Sequence, residues 1–426
     1  METLPNVFPK NEKLTFEMLV ERLEYFRSAF HSIQAWRDPV HHARYRVLAK
    51  DNIGVEEFPT MAGSKALENL MLPDAFIVDR LVRAGIDVFG KTTMSELANY
   101  VSTTMPGGYS EMGGQGINPY GEEFSPRGSS SGSAIAVAAG LCDAALGTET
   151  SGSIVLPAMA CGVWGMKPTV GLLSRGGIVP LSHTFDTPGV MARDVQTIVD
   201  LMNIMQETDP DDPITERAHE IHLDVMGYKH GSPVRVAVMV FENRPLQFEQ
   251  VQLLEALKTK LATVNIEVVT VEVQPVEFDY KAITSIDFQN DINRFFRRYS
   301  DGNHVGDVES LVAYYRAREE HHPYGFDRLT DALEYDADAA GYEDLVHETL
   351  TRANLAIEDA LARAQAQALI AFDFVNWWAI AQAPYMAVPW GVDMNGKPVG
   401  FTLGCRAMED GKVIALSKRI EKALAQ

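Results

Sequence analysis

Two serine- and glycine-rich segments and one upstream lysine are the residues of this chain that could carry out acyl transfer. The segments are RGSSSGSA at 127–134 and GTETSGSIV at 147–155, and Ser129 precedes Ser153 by 24 positions. Acyl transfer to water requires a nucleophile, a base that takes its proton, and N–H donors for the developing oxyanion. Serine hydroxyls, Lys50 and glycine-rich backbone can supply all three.

The elements around these residues predict an α/β arrangement. A short apolar strand at 45–49 ends at Lys50, and a helix at 73–84 leads to a second strand at 87–90. The small residues at 134–140 suit a helix that packs closely on a sheet, with a polar, glycine-rich loop on each side. Loops at the ends of buried elements are where open α/β sheets hold their chemistry.

Helices and strands alternate along much of the remaining chain. Apolar residues at helical spacing predict helices over 15–46, and the stretch 275–365 reads as largely helical, with a surface helix pair at 331–368. Strands are predicted at 234–240 and 266–273 around a helix at 247–263, then at 369–372, 385–389 and 398–403 before a closing helix from Asp410.

Several motifs occur in one fixed order along the chain. They are LAKDNI at 48–53, MSELA at 94–98, NPY at 118–120, the two serine segments, ACGVWGMKPT at 160–169, FDTPGVMARDV at 185–195 and PVGFTLG at 398–404. This series resembles the amidase signature family, whose core pattern reads GGSSGGSA, GTDTGGSIR and CGVxGLKPT.

The resemblance implies a role for each of several residues. Ser153 would attack the carbonyl carbon, Ser129 would follow a cis peptide bond and relay the proton, and Lys50 would be the base. Burial lowers the pKa of a lysine and frees its lone pair, and Ser-Lys variants of hydrolytic catalysis are recognised. The backbone N–H groups of Thr150, Ser151, Gly152 and Ser153 would form the oxyanion hole, and Ser130 would support the site by hydrogen bonding.

Four residues depart from the family pattern. Ser131 and Ser151 each replace a glycine, Glu149 replaces an aspartate, and Val155 stands where arginine is common. A β-carbon at position 151 restricts the backbone beside the expected oxyanion hole. The departures therefore concern the shape of the loop and its substrate contacts, since the nucleophile, relay and base are all present.

The family implies one large mixed α/β/α domain with a central twisted mixed sheet covered by helices. Residues 1–46 are expected to be an N-terminal helical appendage, and residues 47–426 the amidase signature domain. Within that domain, we assign a signature core at 47–195, a divergent region at 205–375, and C-terminal strands and a helix at 376–426.

Composition excludes some functions and favours others. A formal net charge of −21 disfavours binding to nucleic acid. No apolar stretch is long enough to span a membrane, the N-terminal segment lacks a secretory pattern, and Cys142, Cys161 and Cys405 read as reduced buried thiols, so a cytoplasmic enzyme is expected. The family chemistry needs no cofactor and no metal. A small-molecule amide is the expected substrate, and a homodimer is compatible with the sequence.

Paired histidines and a cluster of aromatic residues allow further interpretations. His41-His42 and His321-His322 lack carboxylate or cysteine partners at ligand spacing and read as polar surface. His183 is expected to pack or hydrogen-bond near the site. Trp377 and Trp378, with Phe372 and Phe374, either line an acyl pocket or belong to the core.

Two other functions remain open beside hydrolysis of a carboxamide to a carboxylate and ammonia or an amine. One is the glutaminase-type subunit of a tRNA-dependent amidotransferase; only 22 residues follow position 404, fewer than we expect of that subgroup. The other is a non-catalytic binding protein that kept the fold. The sequence does not name the substrate.

Overall fold

The computed structural model describes residues 15–40, 42–223, 232–299 and 305–425. His41, for which a polar surface position was predicted, lies outside the described residues. Within the described chain, the strands of the main sheet are joined in one sheet of eleven, in the order β1-β3-β2-β6-β8-β7-β12-β13-β11-β9-β10, and β4 and β5 form a separate pair. The strand bounds are β1 Ile33–Trp36, β2 Arg46–Lys50, β3 Asp87–Thr92, β4 Tyr109–Ser110, β5 Gly114–Gln115, β6 Ala144–Glu149, β7 Trp164–Lys167, β8 Thr187–Ala192, β9 Val234–Phe241, β10 Ile266–Val273, β11 Ala368–Ala371, β12 Tyr385–Val392 and β13 Pro398–Gly404.

The sheet is mixed, with parallel pairs toward both ends and antiparallel pairs in the middle. Strand β2 pairs in parallel with β3 and β6, and β9 pairs in parallel with β10 and β11. Strands β8, β7, β12 and β13 pair antiparallel with their neighbours. The prediction of a mixed sheet covered by helices is confirmed.

Helices cover both faces of the sheet and extend beyond it. Their bounds are α1 Phe16–Ser28, α2 Phe76–Arg83, α3 Ser131–Ala138, α4 Val155–Ala160, α5 Val195–Met205, α6 Phe248–Ala262, α7 Tyr280–Tyr299, α8 Val308–Arg316, α9 Asp327–Ala332, α10 Tyr342–Ala364, α11 Trp377–Ile380 and α12 Asp410–Leu424. One core lies between the sheet and α2, α5, α6 and α12. A second lies under α1, α3, α4, α10 and α11, and a third joins α7, α8 and α9 to residues 62–105. None of the helices in the described ranges is long and apolar enough to cross a membrane.

The N-terminal segment differs from its prediction. Residues 16–28 are helical, but residues 33–36 form β1, which pairs antiparallel with β3. The prediction of helices over the whole of 15–46 is therefore wrong at β1. Ile33 is buried in the second core. This short strand is therefore stabilised by packing and by pairing with the sheet, because a strand of four residues is not stable by itself.

Most other predicted elements are confirmed within a few residues, including β2, α2, β3, β9, α6, β10 and the C-terminal strands. The expected helix pair at 331–368 is instead the end of α9, the long helix α10 and the start of β11. The strands β7 and β8 fall inside motifs that were interpreted only as family segments. The cysteines Cys142, Cys161 and Cys405 are free and buried, as predicted.

The register of β2 and β6 brings the two halves of the expected site together. Ala49 lies opposite Leu146 in a parallel pair, so both strands end at the same edge of the sheet. Lys50 is the last residue of β2, and Thr148 and Glu149 are the last residues of β6. The sheet therefore places the lysine beside the second serine segment.

Candidate active site

Lys50 is fully buried and contacts one residue of each serine segment. Its Nζ lies 2.7 Å from Ser129 Oγ, 2.8 Å from Thr148 Oγ1 and 3.1 Å from the carbonyl oxygen of Thr148. The Asn52 side chain donates to Thr148 Oγ1 at 3.0 Å. Asn52 thereby orients the threonine hydroxyl that touches the lysine.

Burial shifts the protonation equilibrium of this lysine. Loss of solvation lowers the pKa of Lys50 to about 7, against the opposing effect of the nearby Asp186 and Glu149 carboxylates. A lysine with a pKa near 7 has a substantial neutral fraction under physiological conditions. The neutral amine can accept a proton, which is what a general base requires.

The backbone around Ser129 is held from two directions. The Gly128–Ser129 peptide bond is cis, as the family resemblance implied. Ser95 donates its backbone N–H to the Ser129 carbonyl at 2.9 Å, and Ser95 Oγ accepts the N–H of Gly108 at 2.7 Å. A β-carbon at position 128 would lie 2.2 Å from Ser95 Oγ, so glycine is needed there.

Ser130 links the two serine segments. Its hydroxyl donates to the Thr148 carbonyl at 3.1 Å and accepts the Thr148 N–H at 3.3 Å. Its backbone N–H donates to the Ser153 carbonyl at 3.1 Å. These contacts fit the supporting position that the sequence indicated. Among the described hydrogen bonds, none joins Ser129 Oγ directly to Ser153 Oγ. Proton transfer between these two hydroxyls is therefore part of the proposed mechanism and not an observed contact.

Glu149 anchors the loop that carries Ser153. Its carboxylate accepts the backbone N–H of Ile154 at 2.6 Å and that of Val155 at 3.1 Å, and it also accepts the Tyr385 hydroxyl. Tyr385 comes from β12, on the other side of the sheet centre. The glutamate that departs from the family pattern therefore has a defined role, which is to fix the chain immediately after Ser153.

The backbone of the expected oxyanion loop explains which glycine is essential. Gly152 has φ +87°, and a β-carbon there would lie 2.8 Å from side-chain atoms of both Leu156 and Phe374. Ser151 is not among the residues with positive φ, so the backbone at this position does not demand glycine. Thr150 donates its hydroxyl to Asp186 at 2.5 Å, which fixes the start of the loop.

A pocket of about 230 Å³ opens beside Thr148 and Asn52. Asp186 is one of the lining residues, and burial raises the pKa of this carboxyl to about 6. Its walls combine apolar side chains with paired charges, among them Ile178, Val179, Phe295, Arg175 and His183. Asp212 neutralises Arg175, since one of its oxygens lies 2.5 Å from Nη2. The pocket therefore combines an apolar surface with charged and polar groups.

Residues 47–364 match the Amidase family model. The chain belongs to the amidase family. A probable amidase of Arabidopsis thaliana is 30% identical over 392 residues, which cover 88% of this chain and 76% of the relative. A glutamyl-tRNA(Gln) amidotransferase subunit of Methanothermobacter thermautotrophicus is 29% identical over 401 residues, covering 87% of this chain and 83% of that protein.

A solved structure is similar to this chain over its full length. The native peptide amidase of Stenotrophomonas maltophilia superimposes with a TM-score of 0.85 at 28% identity, over 100% of this chain and 94% of that one. Family and structural neighbours together support a hydrolase that acts on amides.

Several residues of the site were not singled out from the sequence. Asn52 and Thr148 lie inside motifs that were quoted for Lys50 and Ser153, and Asp186 lies inside the FDTPGV segment. Their polar side chains next to the expected catalytic residues were the available signal. Tyr385 offered none, because it is distant in sequence and reaches Glu149 only through the pairing of β12 with β7.

The structure also places the histidines and the aromatic residues that the sequence analysis considered. His183 lines the pocket and contacts Asp291, with Nδ1 at 3.0 Å from Oδ2. Trp377 and Trp378 belong to the second core, whereas Phe374 packs near Gly152. His42 and His321 are exposed, but His322 is buried, so the polar-surface prediction is wrong for His322.

Proposed function

We propose that this chain hydrolyses a carboxamide through an acyl-enzyme on Ser153, with Ser129 as proton relay and Lys50 as general base. The observation that supports this most directly is the 2.7 Å contact between buried Lys50 and Ser129. A lysine pKa near 7 makes the amine a usable base at neutral pH.

The contacts of Lys50 fit a neutral amine as well as an ammonium ion. A neutral amine has two N–H donors and one lone pair. The Thr148 carbonyl can only accept a hydrogen bond, whereas the hydroxyls of Ser129 and Thr148 can donate or accept. The Ser129 proton can therefore point at the lysine lone pair, and this is the orientation that the proton relay requires.

In the proposed reaction, the Ser153 hydroxyl attacks the amide carbon as its proton passes to Ser129 and the Ser129 proton passes to Lys50. The N–H groups of residues 150–153 stabilise the oxyanion. The protonated relay then returns a proton to the leaving nitrogen, and ammonia or an amine departs. Water attacks the Ser153 ester by the same path, which releases the carboxylate.

The substrate class we favour is a linear amide with an apolar acyl part, such as the C-terminal amide of a short peptide. The likeness to peptide amidase supports this choice, and so does the apolar wall formed by Ile178, Val179 and Phe295. A peptide amide would place its polar backbone beside Arg175 and His183, which also line the pocket.

Labelling with a fluorophosphonate probe tests the nucleophile. Wild type should be labelled, and Ser153→Ala should lose the label together with at least about 10³-fold in amide turnover. Ser129→Ala should label much more slowly, because the relay of the proton is lost.

Ser131→Ala is the matched control within the same segment. Ser131 is buried and its hydroxyl has no hydrogen-bond partner in the described chain, so removing it should leave labelling and turnover close to wild type. Labelling that persists in Ser153→Ala would refute the assignment of the nucleophile. An unlabelled, inactive wild type would favour a non-catalytic binding protein.

A second candidate is the glutaminase-type subunit of an amidotransferase, which the similarity to the Methanothermobacter thermautotrophicus protein favours. It predicts that glutamine is hydrolysed in preference to peptide and aliphatic amides, and that a second protein co-purifies with the chain. An ammonia-release screen across these three substrate classes separates the two proposals.

A further inference from the structure

A second cluster of ionisable residues lies apart from the serine segments. Glu96 begins a short 3-10 helix at Glu96–Asn99, Glu111 follows β4, and His322 follows another 3-10 helix at Glu319–His321. One potential ligand atom from each of the three side chains lies within 4.8 Å of the other two. The chain thus brings one imidazole and two carboxylates together from three separate segments.

The cluster is sheltered from solvent and two of its polar atoms lack partners. His322 is 8% exposed and Glu96 is 1% exposed, and the Glu111 side chain is 14% exposed. Within the described residues, neither His322 Nε2 nor Glu111 Oε2 has a hydrogen-bond partner. Buried polar atoms without partners are uncommon, and each calls for a ligand or another explanation.

Neighbouring groups fix the three side chains. The His322 ring stacks on Tyr315, with centroids 4.3 Å apart. The Tyr315 hydroxyl and the Glu111 backbone N–H both donate to the Glu96 carboxylate, the second at 2.8 Å. Arg318 binds the other oxygen of Glu111 at 2.7 Å. Groups that are held in this way lose little further entropy on binding an ion.

We propose that Glu96, Glu111 and His322 bind a divalent transition-metal ion such as Zn²⁺. One imidazole nitrogen and two carboxylate oxygens are donors that suit zinc, and a cation bound by these side chains would give a partner to buried polar groups that lack one in the described chain.

The position of the site indicates a structural function. Glu96 follows Ser95, which donates its backbone N–H to the Ser129 carbonyl at 2.9 Å. His322 lies in the connection between α8 and α9. The ion would therefore tie this connection to the segment that supports the relay serine.

Metal titration of the chelator-treated, full-length protein tests the proposal. We expect one tightly bound Zn²⁺ per chain, measured by competition with a chromophoric chelator, and excess Mg²⁺ should not displace it because an imidazole ligand disfavours Mg²⁺. Co²⁺ bound at the same site should give a visible d–d spectrum.

His322→Phe is the decisive variant, because it keeps a ring to stack on Tyr315 and removes only the nitrogen ligand. It should weaken Zn²⁺ binding at least about 10-fold and abolish the Co²⁺ spectrum, as should Glu111→Gln. The exposed neighbour provides the control, and His321→Ala should bind like wild type.

Fluorophosphonate labelling and circular dichroism of the metal-free variants verify that they are folded. Absence of stoichiometric Zn²⁺ binding by wild type would overturn the proposal. So would equal binding by wild type, folded His322→Phe and His321→Ala, since that result places the ion elsewhere.

Discussion

Lys50, Lys91 and Lys167 are all fully buried, and their contacts separate a candidate base from two structural lysines. Lys91 donates to the Ile53 carbonyl at 2.6 Å and to Thr60 Oγ1 at 3.0 Å, and Lys167 donates to the carbonyls of Pro168 and Ala383. Neither lysine has a hydrogen bond to a serine segment among the described contacts. Lys50 instead contacts the Ser129 hydroxyl, so burial alone does not identify the candidate base and the location of its hydroxyl partner does.

The pH dependence of turnover follows from the pKa of Lys50. The base must be uncharged, and its pKa is about 7, so log kcat/KM should fall by about one for each pH unit below 7 and level off above it. A pH–rate profile in buffers of constant ionic strength measures this. A flat rate from pH 5 to 9 would exclude Lys50 as the titrating base.

The Asp186→Asn variant tests whether Lys50 or Asp186 causes the fall in rate at low pH, because the Asp186 pKa of about 6 lies close to that of Lys50. The Asp186 charge raises the pKa of Lys50, so its removal should move the acid limb of the profile to lower pH. Loss of the acid limb in this variant would assign the titration to Asp186 instead.

The sequence alone pointed to candidate residues of the site more readily than to the side chains that contact them. Each of the residues Lys50, Ser129 and Ser130 lies in a short motif that can be recognised locally, whereas the pairing of β2 with β6 is what brings the lysine next to the serine segments. Asn52 and Thr148 were overlooked although they belong to the same motifs, because a side chain that orients another has no distinctive residue type. The burial of His322 depends on packing against Tyr315, and no local pattern records it.

At the scale of the loop, Ser151 and Gly152 should respond oppositely to substitution. Ser151 does not have positive φ, so Ser151→Gly should keep turnover within a few-fold and lose about 0.5–1 kcal/mol of stability through chain entropy. Gly152→Ala should lose about 1–3 kcal/mol and most activity, because φ is +87° and the new β-carbon would press on Leu156 and Phe374.

Chemical denaturation and steady-state kinetics of the two single variants measure these effects. A highly active Gly152→Ala enzyme would show that the loop does not depend on this backbone conformation. The two variants also test why serine can replace the family's glycine at position 151. We expect serine to be tolerated there because the backbone at this position does not have positive φ.

Helices and strands with a clear hydrophobic periodicity were predicted well. Strands that form only by pairing with a distant segment were predicted poorly. The long strands β9 and β10 and the helix α6 follow from the sequence pattern alone. The four-residue strand β1 exists because β3 presents a free edge, and the surrounding sequence reads as helix. Short strands depend on partners that are distant in sequence, so local patterns miss them.

At the scale of the whole molecule, one sheet couples the C-terminal strands to the catalytic loop. Strand β12 pairs with β7, and its first residue, Tyr385, reaches across to Glu149, which in turn holds the N–H groups of Ile154 and Val155. The serine segment that carries Ser153 therefore depends on a residue more than 200 positions away.

Tyr385→Phe tests this coupling, because it keeps the ring that stacks on Trp378 and removes only the hydroxyl. Glu149 would lose a buried donor, so we expect a loss of about 1–3 kcal/mol in unfolding free energy and slower acylation of Ser153 by the fluorophosphonate probe. Tyr100→Phe is the matched control: its buried hydroxyl contacts Ser285 at 3.0 Å, and its removal should cost similar stability without slowing acylation. If both variants acylate at the wild-type rate, the hydroxyl of Tyr385 stabilises the fold but does not position the nucleophile loop.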